Sequence, residues 1–94
     1  MWYIYILLCD QKIYYVGSTN DLKKRISQHK EGKSKYTKKF SDIELVYTEQ
    51  LSSEKSARLR EIQIKKWSIA KKKALIARNI NKLIKLSKSR EFDE

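Results

Sequence analysis

Residues 2–17 read WYIYILLCDQKIYYVG, and this stretch decides the fold. Trp2–Cys9 is rich in aromatic and β-branched residues, which is typical of a strand. Asp10–Lys12 is polar and has the length of a turn, and Ile13–Val16 again has the composition of a strand. The sequence therefore predicts a β-hairpin whose second strand ends at Gly17.

Helical patterns and one further strand follow the hairpin. Residues 18–21, Ser-Thr-Asn-Asp, carry the small oxygen-bearing side chains that begin a helix, and Gly32 ends that helix. Ile43–Tyr47 is a candidate third strand. Two more helices are predicted, from about Lys55 to Trp67 and from Ile69 to Leu86. The order β-β-α-β-α-α predicts an α+β fold in which helices pack on a sheet.

The length of 94 residues fits a single domain. We assign residues 1–87 to that domain and the charged residues 88–94 to a frayed tail. The one cysteine, Cys9, excludes an internal disulfide and a cysteine-rich zinc site. No apolar segment approaches the ~20 residues that span a bilayer, and the apolar start lacks the features of a signal peptide. The cytoplasm is therefore the expected compartment.

The charge balance points to a polyanionic partner. Lysine and arginine number 22 against 11 acidic residues, which gives a formal charge of +11. Nucleic acid is the commonest partner of such a surface, because neutralised phosphates release counterions. An anionic membrane, or plain solubility without an anion partner, is the alternative. The residues expected to contact nucleic acid are Lys33, Lys35, Lys38 and Lys39, with the run 71–73 as a second patch, although a charge run is usually a solvated face.

Five side chains have the chemistry that phosphodiester hydrolysis needs. Tyr5 and Tyr15 are both odd-numbered, so they share a sheet face if the hairpin has a simple register. Arg25 and His29 are four positions apart, which places them on one face of a helix. Glu61 lies on a helix stripe that looks inward, where a carboxylate is costly without a cation or a metal.

Each of these residue types has a role in such a reaction. Glu61 suits Mg²⁺, which polarises a phosphate and stabilises the leaving oxygen. A tyrosine can take a proton from water where nearby positive charge lowers its pKa. Arg25 can offset charge growing on the phosphate, and His29 can relay a proton or hydrogen-bond a tyrosine. Taken singly, each also has an ordinary interpretation: packed tyrosines, a solvated helix pair and a surface ion pair. The joint pattern favours a site.

Tyr3-Ile4-Tyr5 followed by Tyr15-Val16-Gly17 resembles the paired tripeptides of the GIY-YIG nucleases. Residues 18–25 and then His29 look like the first helix of that family. The further segments that are close to a small stand-alone bacterial subgroup are residues 35–37, 45–47 and 61–72. The sequence is also similar to the nuclease domain of the excision-repair incision subunit, which associates it with DNA repair.

The resemblance implies a three-stranded antiparallel sheet flanked by helices, and hydrolysis of DNA with one divalent metal, Mg²⁺ or Mn²⁺. Carried over by position, Tyr15 is the general base and Tyr5 assists it or positions the phosphate or the water. Arg25 holds the phosphate, His29 supports proton transfer and Glu61 binds the metal. Gly17 would let the backbone leave the strand sharply.

The sequence departs from the family pattern in a few places. Tyr3 stands where the first tripeptide has glycine, and Asn79 lies near the region where many members place an asparagine close to the metal. Larger relatives carry DNA-recognition domains that this sequence lacks, so we expect binding mainly by backbone charge, with weak sequence preference. A particular DNA structure or a protein partner would then supply specificity. The alternatives are a non-catalytic nucleic-acid-binding module on the same fold and a protein–protein adaptor.

Overall fold

A three-stranded antiparallel sheet with three helices forms the part of the chain that the computed structural model describes, residues 1–33 and 37–77. The elements are β1 (Trp2–Cys9), β2 (Ile13–Thr19), α1 (Leu22–Lys30), β3 (Ile43–Leu51), α2 (Glu54–Lys65) and α3 (Ile69–Ile76). The strand order is β2-β1-β3, which leaves β2 at an edge of the sheet. The predicted α+β fold and its order β-β-α-β-α-α are thus confirmed.

The register of the hairpin decides which side chains meet. Tyr5 lies opposite Gly17, and Leu7 lies opposite Tyr15. Opposite residues of an antiparallel pair project to the same face, and alternate residues along a strand do so too. Tyr5 and Tyr15 therefore share one face, which the alternation predicted. The predicted end of β2 was wrong, because β2 continues to Thr19 and Gly17 lies inside it.

The two faces of the sheet are covered by different helices. One face carries a cluster that includes α2 and α3, formed by Ile4, Ile6, Val16, Ala57, Ile64 and Leu75. The other carries Tyr5, Leu7 and Cys9. The partly buried residues packed against them come from α1, from the segment before β3 and from the start of β3: Leu22, Ile26, Phe40 and Ile43. The sheet is therefore a middle layer between two separate cores.

Capping side chains define where the helices begin. Asp21 accepts a hydrogen bond from the backbone N–H of Lys24, so it is the residue that caps α1. Ser18 and Thr19 were predicted to belong to this helix start, but they pair with β1 as part of β2. Cross-strand pairing also extends β3 to Leu51, four residues beyond the predicted Tyr47, because residues 48–51 continue the ladder with β1.

Several predictions fall on residues outside the described ranges. Among them are Lys35, the part of the last helix after residue 77, Asn79 and the 88–94 tail. Within the described ranges α1 is followed by Gly32 with a φ of +75°, the left-handed conformation that ends many helices, as predicted. No helix in those ranges is long and apolar enough to cross a membrane.

Candidate active site

A cavity of about 240 Å³ opens beside the edge strand β2. It is lined by residues of β1, β2, α1, α2 and the β2–α1 connection: Trp2, Tyr5, Tyr15, Gly17, Ser18, Thr19, Asn20, Arg25, Arg58 and Glu61. Because β2 has no neighbour on its outer side, side chains from both faces of the sheet reach this cavity. Four of the five predicted residues line it, and the fifth, His29, contacts Tyr5 from α1.

The tyrosines and the histidine form one hydrogen-bonded aromatic cluster. The Tyr5 hydroxyl lies 2.9 Å from Nε2 of His29, and Nδ1 of His29 lies 2.6 Å from Oγ1 of Thr37. The Tyr15 ring centroid is 6.3 Å from that of Tyr5 and 5.3 Å from that of His29. Tyr5, His29 and Thr37 are buried, whereas Tyr15 is half-buried. Both tyrosines line the cavity, and Tyr15 is the more accessible of the two to a ligand there.

Gly17 provides the space in which the Tyr5 ring lies. A Cβ atom at position 17 would overlap the hydroxyl oxygen and the Cζ atom of Tyr5. Gly32 is the one glycine of the described residues with a positive φ, so Gly17 is not required for an unusual backbone conformation. The prediction that Gly17 turns the chain sharply out of β2 was wrong. The residue is needed because its missing side chain admits Tyr5.

The environment keeps Tyr5 and His29 in their neutral forms. Burial raises the pKa of Tyr5, and the nearby Tyr15 and Glu61 add to the rise, whereas Arg25 opposes it. Burial also lowers the pKa of His29, and the positive charge of Arg25 lowers it further. A tyrosine that keeps its proton is a hydrogen-bond donor rather than a base. Of the two tyrosines, Tyr5 therefore suits a supporting role.

Glu61 reaches the cavity from α2 and is held at both carboxylate oxygens. The Ser18 hydroxyl donates to Oε1 at 2.6 Å, and Nζ of Lys65 lies 2.7 Å from Oε2. Ala57 and Ile64, which share this helix face, are fully buried, so α2 places Glu61 where the core meets the cavity. The Glu61 side chain is only 20% exposed. The surface ion pair that the sequence allows is present between Lys65 and Glu61, but the Glu61 carboxylate also faces the cavity.

The donor set at Glu61 fits a hard divalent cation with few protein ligands. No group of three or more His, Cys, Asp or Glu side chains that could hold a metal occurs within residues 1–33 and 37–77. Mg²⁺ is commonly bound through one or two carboxylates, with waters and substrate phosphates completing its shell. Each carboxylate oxygen of Glu61 has a second lone pair beyond the one that Ser18 or Lys65 uses. One acidic residue beside a phosphate is therefore a sufficient protein contribution.

Two arginines give the cavity its positive charge. Arg25 is exposed on α1 and lines both this cavity and a neighbouring cleft of about 230 Å³. Arg58 projects from α2 and forms an ion pair of 2.7 Å with Glu54. A guanidinium group offers several N–H donors in a plane that matches phosphate oxygens. The cavity thus combines one carboxylate with two groups that attract a phosphate.

Three residues of the site were not predicted from the sequence. The sequence predicts Ser18 as part of a helix start, and Thr37 lies in the lysine-rich loop, where the family resemblance of residues 35–37 is its one signal. Arg58 precedes Glu61 by three residues on α2, and this spacing alone could have placed it on the same side of the helix.

The predicted loop lysines that the structure describes do not line the cavity. Lys33, Lys38 and Lys39 are exposed, while Lys35 lies outside the described ranges. Lys33 pairs with Glu31 at 3.2 Å, through side chains that are both more than half exposed. The three described lysines are thus available to solvent outside the cavity, and their contact with nucleic acid stays a prediction.

The second predicted lysine patch, 71–73, is not a continuous exposed surface. Lys71 is only 9% exposed, and its Nζ lies 4.2 Å from the centre of the Trp67 ring. The Arg60 guanidinium lies 5.2 Å from the same ring centre. Lys71 thus helps to pack α3 against the end of α2. The expectation that the run forms one patch was wrong, because local sequence does not show which lysine a tryptophan covers.

Comparison with known proteins identifies the family. Residues 1–74 match the family model described as the GIY-YIG catalytic domain. The UPF0213 protein of Syntrophus aciditrophicus is 43% identical over 79 residues, which cover 82% of this chain and 91% of that protein. The UPF0213 protein of Natronomonas pharaonis is 40% identical over 76 residues, which cover 80% and 89%.

A solved structure agrees with these sequence matches. The solution NMR structure of the UPF0213 protein BH0048 from Bacillus halodurans superposes with a TM-score of 0.55 at 36% sequence identity, covering 84% of this chain and 86% of that one. Residues 1–74, which match the family model, include every element that contributes to the cavity. The chain therefore belongs to the GIY-YIG nuclease family and groups with its small UPF0213 members.

Proposed function

We propose that this protein is a metal-dependent endonuclease that hydrolyses phosphodiester bonds in DNA, in the cytoplasm, with weak sequence preference. One observation carries the proposal: Tyr5, Tyr15, Arg25 and Glu61, which come from four different elements, line a single cavity. His29 joins them through its hydrogen bond to Tyr5. A binding surface has no need to gather a carboxylate and two tyrosines, whereas hydrolysis uses each of them.

Tyr15 is the general base in this proposal. It is half-buried at the cavity, so it can reach a water molecule held there, whereas Tyr5 is buried and keeps its proton. A tyrosine takes a proton effectively only near positive charge, and Arg25 lines the same cavity. Tyr5 donates a hydrogen bond that stabilises the negative charge of the Tyr15 phenolate. The Tyr15 phenolate then takes a proton from the attacking water as the water oxygen bonds to phosphorus. The bond between phosphorus and the leaving oxygen breaks, and the leaving oxygen takes up a proton from solvent.

Arg25 and Glu61 act on the phosphate. Arg25 binds the non-bridging oxygens and offsets the charge that grows on them in the transition state. Glu61 would hold Mg²⁺ or Mn²⁺, with water and phosphate oxygens as the remaining ligands. When bound, the cation supplies Lewis-acid polarisation of the phosphate and stabilisation of the leaving oxygen. The Ser18 hydroxyl keeps Glu61 directed toward the cavity.

The proposed substrate is DNA rather than RNA, held mainly through its backbone. The charge of +11 favours phosphate contacts, and the exposed lysines Lys33, Lys38 and Lys39 offer a surface for them, to which Lys35 would add. A branched or nicked structure, or a protein partner, would direct the enzyme to its site, as in DNA repair. A small domain with few side chains available for base edges gains little sequence preference by itself.

The test is cleavage of branched, nicked and single-stranded DNA in Mg²⁺ or Mn²⁺. We expect Glu61→Ala and Tyr15→Phe each to reduce the cleavage rate by on the order of 10²-fold or more. Tyr14→Phe and Glu44→Ala are matched controls, because Tyr14 packs on the opposite face of β2 and Glu44 is exposed on β3. Equal rates in the wild type and in both site variants would refute the proposal.

A non-catalytic module that binds nucleic acid is the second candidate, and one contact favours it. Lys65 neutralises the Glu61 carboxylate at 2.7 Å, which would weaken the hold of Glu61 on a cation. This candidate predicts a salt-sensitive gel shift without cleavage in either metal. It also predicts that Lys65→Ala gains no metal-dependent activity.

A further inference from the structure

Thr37 is the buried end of the hydrogen-bonded chain that leads to the cavity. Its side chain is fully buried, and Oγ1 lies 2.6 Å from Nδ1 of His29. On the other side of the imidazole, Nε2 lies 2.9 Å from the Tyr5 hydroxyl. Both ring nitrogens of His29 therefore have one protein partner each. Since the imidazole is buried and neutral, it carries one N–H, and its two bonds must run in a single direction.

Proton counting allows two directions for this chain. In the first, Thr37 donates to Nδ1, the Nε2–H group donates to Tyr5, and Tyr5 donates its only proton to Tyr15. In the second, every bond is reversed, so that Nδ1–H donates to Thr37 and Tyr5 donates to Nε2. The second direction uses the Tyr5 proton on the histidine and leaves none for Tyr15.

The role proposed for Tyr15 selects the first direction. The Tyr5 and Tyr15 ring centroids lie 6.3 Å apart and the two residues line the same cavity, and a Tyr15 phenolate can only accept a hydrogen bond, so Tyr5 must be the donor. Nε2 must then donate to Tyr5, and Nδ1 must accept from Thr37. A threonine hydroxyl can donate this hydrogen bond to Nδ1 because it carries an O–H group.

We propose that Thr37 is a positioning residue that fixes His29 in the tautomer protonated on Nε2, so that His29 and Tyr5 form a donor chain directed at the Tyr15 oxygen. This inference rests on the proposed function, in which Tyr15 is the base. The chain stabilises the Tyr15 phenolate without transferring a proton to it. Thr37 acts only through His29, since it does not line the cavity.

The tautomer can be measured directly, because His29 is the one histidine in the sequence. A long-range ¹H–¹⁵N correlation spectrum of the labelled wild-type protein, recorded at neutral pH, reports which ring nitrogen carries the proton. We expect a protonated Nε2 and an unprotonated Nδ1. A protonated Nδ1 would overturn the inference. This readout needs no cleavage, so it judges the inference even if no DNA is cut, an outcome that counts against the proposed function alone.

Two substitutions at position 37 test its effect on the reaction. Thr37→Val keeps the shape and removes the hydroxyl, whereas Thr37→Ser keeps the hydroxyl. We expect Thr37→Val to lower kcat by about tenfold, the size of one buried hydrogen bond, with KM unchanged. Thr37→Ser should restore most of that loss, although it removes a buried methyl group as well.

The pair of variants separates positioning from packing. A merely structural role predicts that both substitutions lower the melting temperature while kcat stays at the wild-type level. A kcat of Thr37→Val equal to that of the wild type would therefore overturn the inference. If Thr37→Val does not fold, the spectrum of the wild type and the kcat of Thr37→Ser still decide the question, because the serine is expected to retain both the Nε2–H tautomer and most of the activity.

Discussion

Replacing Gly17 by alanine would place a methyl group where the Tyr5 ring now lies, because the added Cβ would overlap the hydroxyl and Cζ of Tyr5. Neither atom belongs to the far end of a flexible chain, since the ring is buried and its hydroxyl is hydrogen-bonded to His29. Overpacking of this kind costs about 2 kcal/mol, and loss of a buried hydrogen bond adds about 1 kcal/mol. We expect Gly17→Ala to lower the free energy of unfolding by about 3 kcal/mol.

Urea denaturation measures this loss, and a thermal scan should show a melting temperature lower by roughly 12–24 °C. Gly32→Ala is the control. Its Cβ meets nothing within 4 Å, and only the positive φ of 75° opposes it, at a cost of about 1 kcal/mol. The measurement is repeated in a Tyr5→Leu background, where the clashing hydroxyl and Cζ atoms are gone. There Gly17→Ala should lower the free energy of unfolding by only about a few tenths of a kcal/mol.

Either of two results would refute this reasoning. One is a loss at Gly17→Ala no larger than the loss at Gly32→Ala. The other is an undiminished loss in the Tyr5→Leu background, which would mean that the methyl group clashes with something other than the tyrosine. In the wild-type background, Gly17→Ala should also lose cleavage activity, because a displaced Tyr5 no longer joins His29 to the cavity.

Four further measurements test the site. Mg²⁺ at about 100 times its dissociation constant should raise the free energy of unfolding of the wild type by about 2.7 kcal/mol, and that of Glu61→Gln much less; an equal rise in both would exclude Glu61 as the ligand. Acidification below pH 6.5 should destabilise the fold, because the pKa of His29 is lower in the folded protein than in the unfolded chain, which therefore binds the proton first. This contribution to stability is complete above pH 6.5 and is lost as the pH falls through the pKa of the folded state. His29→Gln should flatten the dependence of the unfolding free energy on pH in urea titrations, and an unchanged dependence would contradict the assignment. Tyr5→Phe should cost about 1 kcal/mol, because buried Nε2 of His29 loses its partner, and denaturation that shows no cost would argue against the bond. Removing Lys38 and Lys39 together should reduce the slope of log K against log salt for DNA binding by about two, whereas an unaltered slope would mean that these lysines do not contact phosphate.

Local periodicity was enough to place most of the predicted site. The alternation of a strand put Tyr5 and Tyr15 on one face, and helical spacing put Arg25 and His29 on one side of α1. The same spacing aligned Glu61 with Ala57 and Ile64, which are buried. These relations hold within one element or one hairpin, so the sequence contains them.

The remaining features depend on contacts between distant elements. Thr37 contacts His29, which lies eight positions earlier in the chain, and the local sequence does not predict that contact. The need for glycine at position 17 follows from its pairing with Tyr5, which the sequence does not specify until the register is known. Ser18 likewise pairs with β1 as part of β2 and does not cap a helix, although its side chain is suited to a helix cap. Lys71 packs against Trp67 and is therefore not exposed.

The middle-layer sheet gives the site two sources of support. Glu61 rests on the hydrophobic cluster under α2, while Tyr5 and His29 rest on the one under α1. Because the two clusters lie on opposite faces of the sheet, we expect local undocking of α2 to displace Glu61 while the hydrogen bond between Tyr5 and His29 persists. Such a local opening would interrupt the proposed reaction reversibly, without unfolding of the whole domain.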